Sequence, residues 1–207
     1  MGHLFLDIET YQDVKNGESS SNPYLPESKV LFIVYNYYDT KNPPIKKEIK
    51  QPVMLTEWRS GEKSMLEEFF SFLSDARKKD GHLTIHGFNV LKFDLPYLFG
   101  RMKVHKIDND KILHDALFDN NCTDMTQLSM IISDESRRKE HLWEMGKAEI
   151  NKFFDLQKDE GSSYKLSRLY DKKDYKKIIE QCKSEFHLEQ MLNAFYLYVN
   201  RLVEGDL

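Results

Sequence analysis

Two acidic residues one position apart stand near the start of the chain, in the segment LFLDIET at residues 4–10. Its apolar residues alternate as in a half-buried strand, which places Asp7 and Glu9 on one face, about 6–7 Å apart. Two carboxylates at that distance repel each other, and a divalent cation bound between them removes the repulsion. In the competing interpretation both acids are solvated at an exposed strand end, and a second motif downstream favours the metal site.

The second motif is the segment HGFNVLKFDLPYL at residues 86–98. Here a buried strand is predicted to end, to turn through Gly87 and Asn89, and to bring Asp94 to the start of a helix that tolerates Pro96 in its first turn. A carboxylate at this position can lean toward the ends of neighbouring strands, where the first two acids point. Taken alone, Asp94 would be only an acid favoured by the helix dipole.

The surrounding sequence predicts the elements that position these acids. Strands are predicted at the opening segment, Val30 to Tyr38, Ile45 to Ile49 and Leu83 to Gly87, with one more between residues 108 and 121. A capping box, Ser64-x-x-Glu67, predicts the start of the first long helix. Later helices are predicted at 124–132, with Asp124 as its cap, at 136–154 and at 174–203, with a loop at 159–163. This order is typical of an α/β fold with a mixed sheet.

The composition predicts one folded domain over residues 1–207, because 40% hydrophobic and 13% aromatic residues can supply a full core. The net charge of −4 argues against binding nucleic acid through overall charge. A nuclease, however, needs only an acidic metal pocket and a local basic face. The C-terminal cations either form that face or are solvated, and they are Lys165, Arg168, Lys172, Lys173, Lys176, Lys177 and Lys183.

The sequence also bears on the compartment. No run approaches the roughly 18 apolar residues of a membrane span, and the first residues are typical of a strand, so we expect no secretory signal and no membrane partner. Cys122 and Cys182 lie far apart and lack a C-x-x-C partner. We therefore expect buried thiols rather than a disulfide or zinc site, in a reducing, cytoplasmic compartment.

Taken together, D-x-E in LFLDIET and N-x-x-x-F-D-x-P-Y-L at residues 89–98 resemble the DEDD superfamily of 3′–5′ exonucleases. The resemblance is closest to the proofreading exonuclease domain of B-family DNA polymerases and its stand-alone relatives. It implies a ribonuclease H-like, three-layer α/β fold with a mixed sheet of about five strands flanked by helices. It also implies that Asp7, Glu9 and Asp94 are catalytic and hold two Mg²⁺ or Mn²⁺ ions, whose chemistry suits phosphodiester hydrolysis.

The same resemblance implies substrate-binding residues. Thr10, Asn89 and Phe93 occupy positions at which the family binds the 3′-terminal nucleotide. Phe93 would stack or wedge against a base, an interaction worth about 1–3 kcal/mol. The alternative for Phe93 is a core residue at the junction of strand and helix.

The third motif of the family is where this sequence departs. Tyrosine-type members carry Tyr-x-x-x-Asp in a late helix, and the corresponding residues here are Gln181 and Glu185. Glu185 is expected to complete the catalytic metal site, whereas Gln181 cannot exchange a proton, a loss that typically costs about 10²–10⁴-fold in rate. A rival match, Tyr170 and Asp174, stays open, although Asp174 has the position of a helix N-cap.

The leading interpretation is a metal-dependent 3′–5′ exonuclease that acts on single-stranded DNA or RNA 3′ ends, with DNA favoured. Any role in replication or DNA repair would then require a partner protein in trans. The alternative is a catalytically impaired module that binds nucleic acid or a protein partner, which the departures in the third motif favour. A third interpretation is an α/β domain whose acids are merely solvated.

Overall fold

The structure, a computed structural model, describes residues 1–11, 22–41, 51–127 and 163–186, and beyond these 188–189, 191–193, 195–196 and 199. The described strands form one five-stranded sheet in the order β3-β2-β1-β4-β5. The strands are β1 (Gly2–Tyr11), β2 (Lys29–Tyr38), β3 (Val53–Thr56), β4 (Leu83–Gly87) and β5 (Asn121–Asp124). β1 runs antiparallel to β2 and parallel to β4, so the sheet is mixed, and the predicted ribonuclease H-like α/β fold is confirmed.

Helices cover both faces of this sheet among the described residues. They are α1 (Glu57–Ser60), α2 (Glu62–Asp80), α3 (Asp94–Val104), α4 (Asp110–Phe118), α5 (Ser163–Asp171) and α6 (Tyr175–Glu185). On one face, Leu4 and Leu6 of β1 join a buried cluster with residues of α2, α3 and α4, such as Phe69. On the other face, Phe5 of β1 shares a cluster with Ile178 of α6. The alternation of β1 thus divides the core into two layers around the sheet.

The predicted elements around the second motif are confirmed, and several others are wrong. The strand Leu83–Gly87 and the start of α3 at Asp94 agree with the sequence. Helix α2 begins at Glu62 and not with a Ser64 capping box, since Gly61 is its N-cap. A four-residue strand, β3, was missed, whereas the predicted strand Ile45 to Ile49 lies outside the described residues.

The largest differences concern helices. The segment predicted as a strand between residues 108 and 121 contains α4, which Asn109 caps by accepting a hydrogen bond from the N–H of Ile112 at 3.0 Å. Helix α5 was missed. The single helix predicted over 174–203 is wrong, because α6 ends at Glu185 and Phe186 lies in a bend. The predicted helix 136–154 and most of 124–132 lie outside the described residues.

The two cysteines differ in burial. Cys182 is buried and Cys122 is half-buried, and within the described residues neither forms a disulfide. Burial, followed by the charges of Asp124 and Asp94, raises the pKa of the Cys122 thiol to about 12, so it stays protonated. No helix in the described part of the chain is long and apolar enough to cross a membrane.

A buried histidine links the stability of the fold to pH. His86 in β4 has no exposed surface, and its Nε2 lies 3.0 Å from Nδ1 of His3. Burial, followed by the charge of His3, lowers the pKa of His86 from 6.5 to about 3. The unfolded chain therefore takes up a proton that the folded chain resists. Protonation of His86 in the unfolded chain therefore has no effect on the free energy of unfolding above pH 6.5. As the pH drops toward 3 this free energy falls, by up to about 1.4 kcal/mol per pH unit for one proton.

We expect His86→Gln to flatten the pH dependence of unfolding below about pH 6.5, because the variant removes the group whose protonation opposes folding. Urea unfolding followed by circular dichroism at a series of pH values measures this slope. His82→Gln, which replaces an exposed histidine, is the matched control and should keep the slope of the wild type. Identical slopes for wild type and His86→Gln would show that His86 does not carry the effect.

Candidate active site

The site lies where β1 extends beyond its parallel neighbour. β4 pairs with β1 only from Gly2 to Phe5, whereas β2 follows β1 as far as Tyr11. The edge of β1 that faces β4 is therefore open after Phe5. The N–H of Ile8 on this edge donates to Oδ1 of Asp94 at 3.1 Å. A carboxylate from the start of α3 thus takes the place of a strand partner at Ile8, the residue that separates Asp7 from Glu9 in the sequence.

Asp94 is strongly buried for an acid, with only 3% of its surface exposed. Burial, followed by the negative charge of Asp7, raises the pKa of the Asp94 carboxyl well above its usual range. The hydrogen bond from Ile8 opposes this rise, and the charge of Asp124 adds to it. Such a carboxylate is destabilised as an anion, and a bound cation would compensate it.

The other two predicted acids lie on the face of β1 that the sequence pattern indicated. Asp7 and Glu9 are half-buried, and Phe5 on the same face packs in the cluster that contains Ile178 and Cys182 of α6. The acids therefore point to the side of the sheet that α5 and α6 cover. This arrangement brings the third motif and the first motif to one side of the sheet.

The donor chemistry at this edge suits a hard divalent cation, since carboxylate oxygens are the ligands that Mg²⁺ and Mn²⁺ prefer. Within the described residues, no group of three His, Cys, Asp or Glu side chains is close enough together to hold a metal ion. Asp7 and Asp94 are near enough for the charge of one to raise the pKa of the other. Asp7 and Asp94 therefore suit a cation through the type of their oxygen donors and the interaction of their charges, whereas the structure does not bring Glu9 into one group with them.

Two pairs of residues are candidates for the third motif, Gln181 with Glu185 and Tyr170 with Asp174. Gln181 is half-buried on α6, four positions before Glu185, and residues with this spacing share one side of a helix. Glu185 is the last residue of α6, and its side chain is not among the parts that the structure describes.

The rival residues are engaged elsewhere. The hydroxyl of Tyr170 donates to Oε2 of Glu57 at 2.5 Å, and its ring packs at 5.8 Å from that of Tyr11. Asp174 is the N-cap of α6, where it accepts from the N–H of Lys177 at 3.4 Å and pairs with Nζ of Lys177 at 2.6 Å. These contacts favour Gln181 and Glu185 as the third motif.

The predicted substrate-binding residues lie in different environments. Asn89 is exposed and has a positive φ of 58°, while Thr10 is buried at the end of β1. Phe93 is half-buried, with its ring 5.5 Å from that of Tyr97, and it lines a cavity of about 520 Å³. This cavity also contains Lys92, directly before Phe93, so Phe93 is accessible rather than enclosed in the core.

The predicted basic face is exposed along its whole length, from Lys165 in α5 to Lys183 in α6. Two of its lysines form helical ion pairs, Lys176 with Glu180 and Lys177 with Asp174. Exposure agrees with both interpretations of this face, and contact with substrate stays a prediction.

Sequence reasoning missed one residue at the site. Asp124, predicted only as a helix cap, does accept from the N–H of Thr126 at 3.0 Å. It also accepts from the N–H groups of Asn89 at 3.0 Å and Leu91 at 3.2 Å, in the turn that leads to Asp94. The only signal in the sequence is an acid at the end of a strand, which is too common to identify this contact.

The similarity to one solved structure agrees with this architecture. The chain is similar to the family B DNA polymerase from the hyperthermophilic archaeon Pyrobaculum calidifontis, with a TM-score of 0.56 and 14% identity over 97% of this chain and 24% of the polymerase. A second similar structure, the zinc-bound form of the E. coli ExoI–ssDNA complex, has a TM-score of 0.40 and 14% identity over 67% of this chain and 30% of that one. The chain thus spans less than a third of the length of either protein.

No curated protein sequence matches the chain. The family model described as the exonuclease domain of DNA polymerase family B matches residues 6–125. This range contains Asp7, Glu9 and Asp94, and it confirms the resemblance that the first two motifs predict. Because the match covers more than half of the 207 residues, the chain belongs to the family of exonuclease domains of family B DNA polymerases.

Proposed function

We propose that this protein is a metal-dependent 3′–5′ exonuclease that removes nucleotides from the 3′ ends of single-stranded nucleic acid, DNA in preference. The observation that carries the proposal is the hydrogen bond from the N–H of Ile8 to Asp94, which holds a buried carboxylate against the backbone of β1 at the residue between Asp7 and Glu9 in the sequence. Membership of the exonuclease domain family supports the type of reaction. Direction, substrate and metal dependence are proposals.

Asp7, Glu9, Asp94 and Glu185 are the residues that would hold two Mg²⁺ or Mn²⁺ ions. When bound, two such ions supply an activated hydroxide and stabilise the charge that develops on the leaving oxygen. The chain itself contributes the orientation of these carboxylates. Asp94 is held by the backbone of β1, so its position follows the strand that carries the first two acids.

The substrate would be held beside the carboxylates by the second motif. Asn89 offers an exposed amide that can both donate and accept hydrogen bonds. Phe93 offers a half-buried ring against which a base can stack, and Thr10 lies next to Glu9 at the end of β1. Residues 1–207 would form one exonuclease domain, which would act with a replication or repair protein in trans.

A second candidate function is a catalytically impaired module that binds nucleic acid or a protein partner. Gln181 favours it, because a glutamine cannot exchange the proton that the family's tyrosine can. The proximity of Asp7 to the buried Asp94 favours the active enzyme, since a binding module gains nothing from a buried carboxylate beside a second negative charge.

Digestion of a 5′-labelled single strand tests the proposal. DNA and RNA of one sequence are incubated with Mn²⁺, Mg²⁺ or EDTA, and the wild type is compared with Asp7→Ala. We expect a metal-dependent ladder that shortens from the 3′ end and is abolished by the substitution. The absence of a ladder, with binding retained in EDTA, would favour the impaired module, and equal ladders for both proteins would remove Asp7 from the reaction.

The third motif gives a separate prediction. Gln181→Tyr is expected to raise the single-turnover rate by at least about 10-fold, since it restores a hydroxyl that can position and deprotonate water. Tyr170→Phe should leave the rate unchanged, because its hydroxyl is bonded to Glu57. A large loss of rate in Tyr170→Phe, with no gain in Gln181→Tyr, would assign the third motif to the rival residues.

A further inference from the structure

Asp124 is a buried acid whose contacts are directed at the second motif. It is the last residue of β5, it pairs with Gly87 at the end of β4, and 5% of its surface is exposed. Its Oδ1 accepts from the N–H groups of Asn89 and Thr126, both at 3.0 Å, and its Oδ2 accepts from the N–H of Leu91 at 3.2 Å. Three backbone donors on one buried carboxylate form a strong, charge-assisted attachment.

The turn that Asp124 holds needs such support. Asn89 has a φ of 58°, in the left-handed region that costs a residue with a side chain on the order of 1 kcal/mol. Its carbonyl accepts from the N–H groups of Lys92 at 3.1 Å and Phe93 at 3.0 Å. The N–H of Leu95 then donates to the carbonyl of Val90 at 3.0 Å. Hydrogen bonds thus continue from Asp124 through the turn into the first residues of α3, where Asp94 lies.

Close contact between Gly87 and β1 also restricts the position of the turn at residues 89–91. A Cβ atom at Gly87 would lie 2.7 Å from the carbonyl oxygen of Leu6, closer than such atoms approach in proteins. Gly87 therefore lets the chain leave β4 in direct contact with β1. The position of the turn is set by this contact on one side and by Asp124 on the other.

We propose that Asp124 is a positioning residue of the exonuclease reaction. It holds the turn at residues 89–91 so that Asn89 faces the 3′ nucleotide. This inference rests on the proposed function. Because its two oxygens are directed at three backbone N–H groups in and beside the turn, Asp124 acts through the turn, and its effect on Mn²⁺ affinity distinguishes this role from that of a metal ligand.

Steady-state and single-turnover kinetics of Asp124→Asn on oligo(dT)₁₀ with Mn²⁺ test the inference. The amide keeps one acceptor but presents an NH₂ group to one of the backbone N–H donors. We expect kcat/KM to fall by about 10–100-fold, as for a displacement approaching 1 Å, with contributions from both KM and kcat. Affinity for Mn²⁺, measured by calorimetry, should change by less than about 3-fold, whereas loss of a ligand costs more.

Two further variants separate positioning from general stability. In an Asn89→Ala background, the effect of Asp124→Asn on KM should shrink, because the residue through which it acts is gone. Asn109→Ala removes a comparable side-chain acceptor, that of the Ile112 N–H at the start of α4. This control should lower Tm to a similar extent and leave kcat and KM within about 2-fold.

The outcomes that overturn the inference are distinct from those that overturn the function. Unchanged kinetics in Asp124→Asn, or a loss of Mn²⁺ affinity above about 10-fold, would refute positioning while the wild type remains an exonuclease. If the wild type is inactive, the proposed function fails, and anisotropy of labelled oligo(dT)₁₀ in EDTA replaces kinetics. Asp124→Asn and Asn89→Ala should then weaken binding equally, and unchanged binding in Asp124→Asn would refute positioning there as well.

Discussion

Asp94→Asn is expected to reduce the exonuclease rate by about 10²–10⁴-fold and to stabilise the metal-free protein at the same time. The asparagine oxygen can still accept from the N–H of Ile8, so the hydrogen bond and the shape of the site are kept. What is lost is the charge that would bind a cation. Activity and stability therefore change in opposite directions, which separates a functional carboxylate from a structural one.

The stability effect follows from the raised pKa of Asp94. A carboxyl whose pKa is higher in the folded state binds its proton more tightly there, so folding is favoured at low pH and weakened as the pH rises past the usual carboxyl range. At neutral pH the Asp94 carboxyl group therefore costs the metal-free protein free energy. Each unit of the shift corresponds to about 1.4 kcal/mol, and the asparagine removes this cost.

Thermal unfolding with EDTA or Mn²⁺, together with the labelled-strand assay, measures both effects. Mn²⁺ should raise the Tm of the wild type and leave that of Asp94→Asn nearly unchanged. Asp75→Asn makes the same chemical change on the exposed side of α2 and should alter neither property. A variant that is less stable than the wild type in EDTA and still active would show that Asp94 has a structural role instead.

Arg101→Met is expected to lower the free energy of unfolding by about 3–5 kcal/mol, since it leaves a buried carboxylate without its partner. Arg101 and Glu62 are 4% and 8% exposed, and two hydrogen bonds join them, Nε to Oε1 at 2.8 Å and Nη2 to Oε2 at 2.7 Å. Glu62 also accepts from the N–H of Val30 and contacts His105, both at 2.7 Å. Arg101 in turn donates to the carbonyl of Pro23 at 2.8 Å. The pair thus joins α2, α3, β2 and the segment before β2.

The effect of Arg101→Met should depend on pH. Burial alone would raise the pKa of Glu62, but hydrogen bonds from Arg101, then from His105 and Val30, outweigh it and hold this pKa below its usual range. The stability that Glu62 contributes is therefore present above the usual carboxyl pKa and is lost as the pH falls through the lowered one. In the variant Glu62 can take up a proton more readily, so the difference from the wild type should narrow as the pH approaches about 5.

Urea unfolding at pH 7 and pH 5 measures this difference. Lys63→Met breaks an exposed ion pair with Glu67 on the same helix and should cost less than about 1 kcal/mol. The double variant Glu62→Gln with Arg101→Met should be more stable than Arg101→Met alone, because the unpaired charge is gone. A cost for Arg101→Met no larger than that of Lys63→Met would show that the buried pair contributes little.

Local sequence patterns were sufficient to predict those features of the site that depend on one strand or one helix alone. Alternation along β1 places Asp7 and Glu9 on one face, because successive residues of any strand point to opposite sides. The start of α3 at Asp94 follows from the glycine, the asparagine and the early proline around it. Both features depend only on residues within a few positions of each other in the chain, so the sequence alone predicts them.

Local patterns failed where short-range signals were mixed. Helix α4 was taken for a strand, because its nine residues carry a short apolar face among charged ones, and its cap, Asn109, was not recognised. Helix α6 ends before the bend at Phe186, and no glycine or proline near this residue predicts the end of the helix. In both places the packing of apolar side chains into the core outweighs weak local propensity.

The contacts that make a site from these elements were beyond the reach of sequence patterns. Ile8 and Asp94 are 86 positions apart, and Asn89 and Asp124 are 35 apart. Whether such groups meet depends on the order of strands in the sheet and on where β4 stops pairing with β1. The sequence therefore determines which face of β1 is acidic and which residue begins α3. Folding determines that Asp94 is buried against the backbone of β1 at Ile8, near enough to Asp7 for their charges to interact, because long-range packing sets both this distance and the loss of water around Asp94.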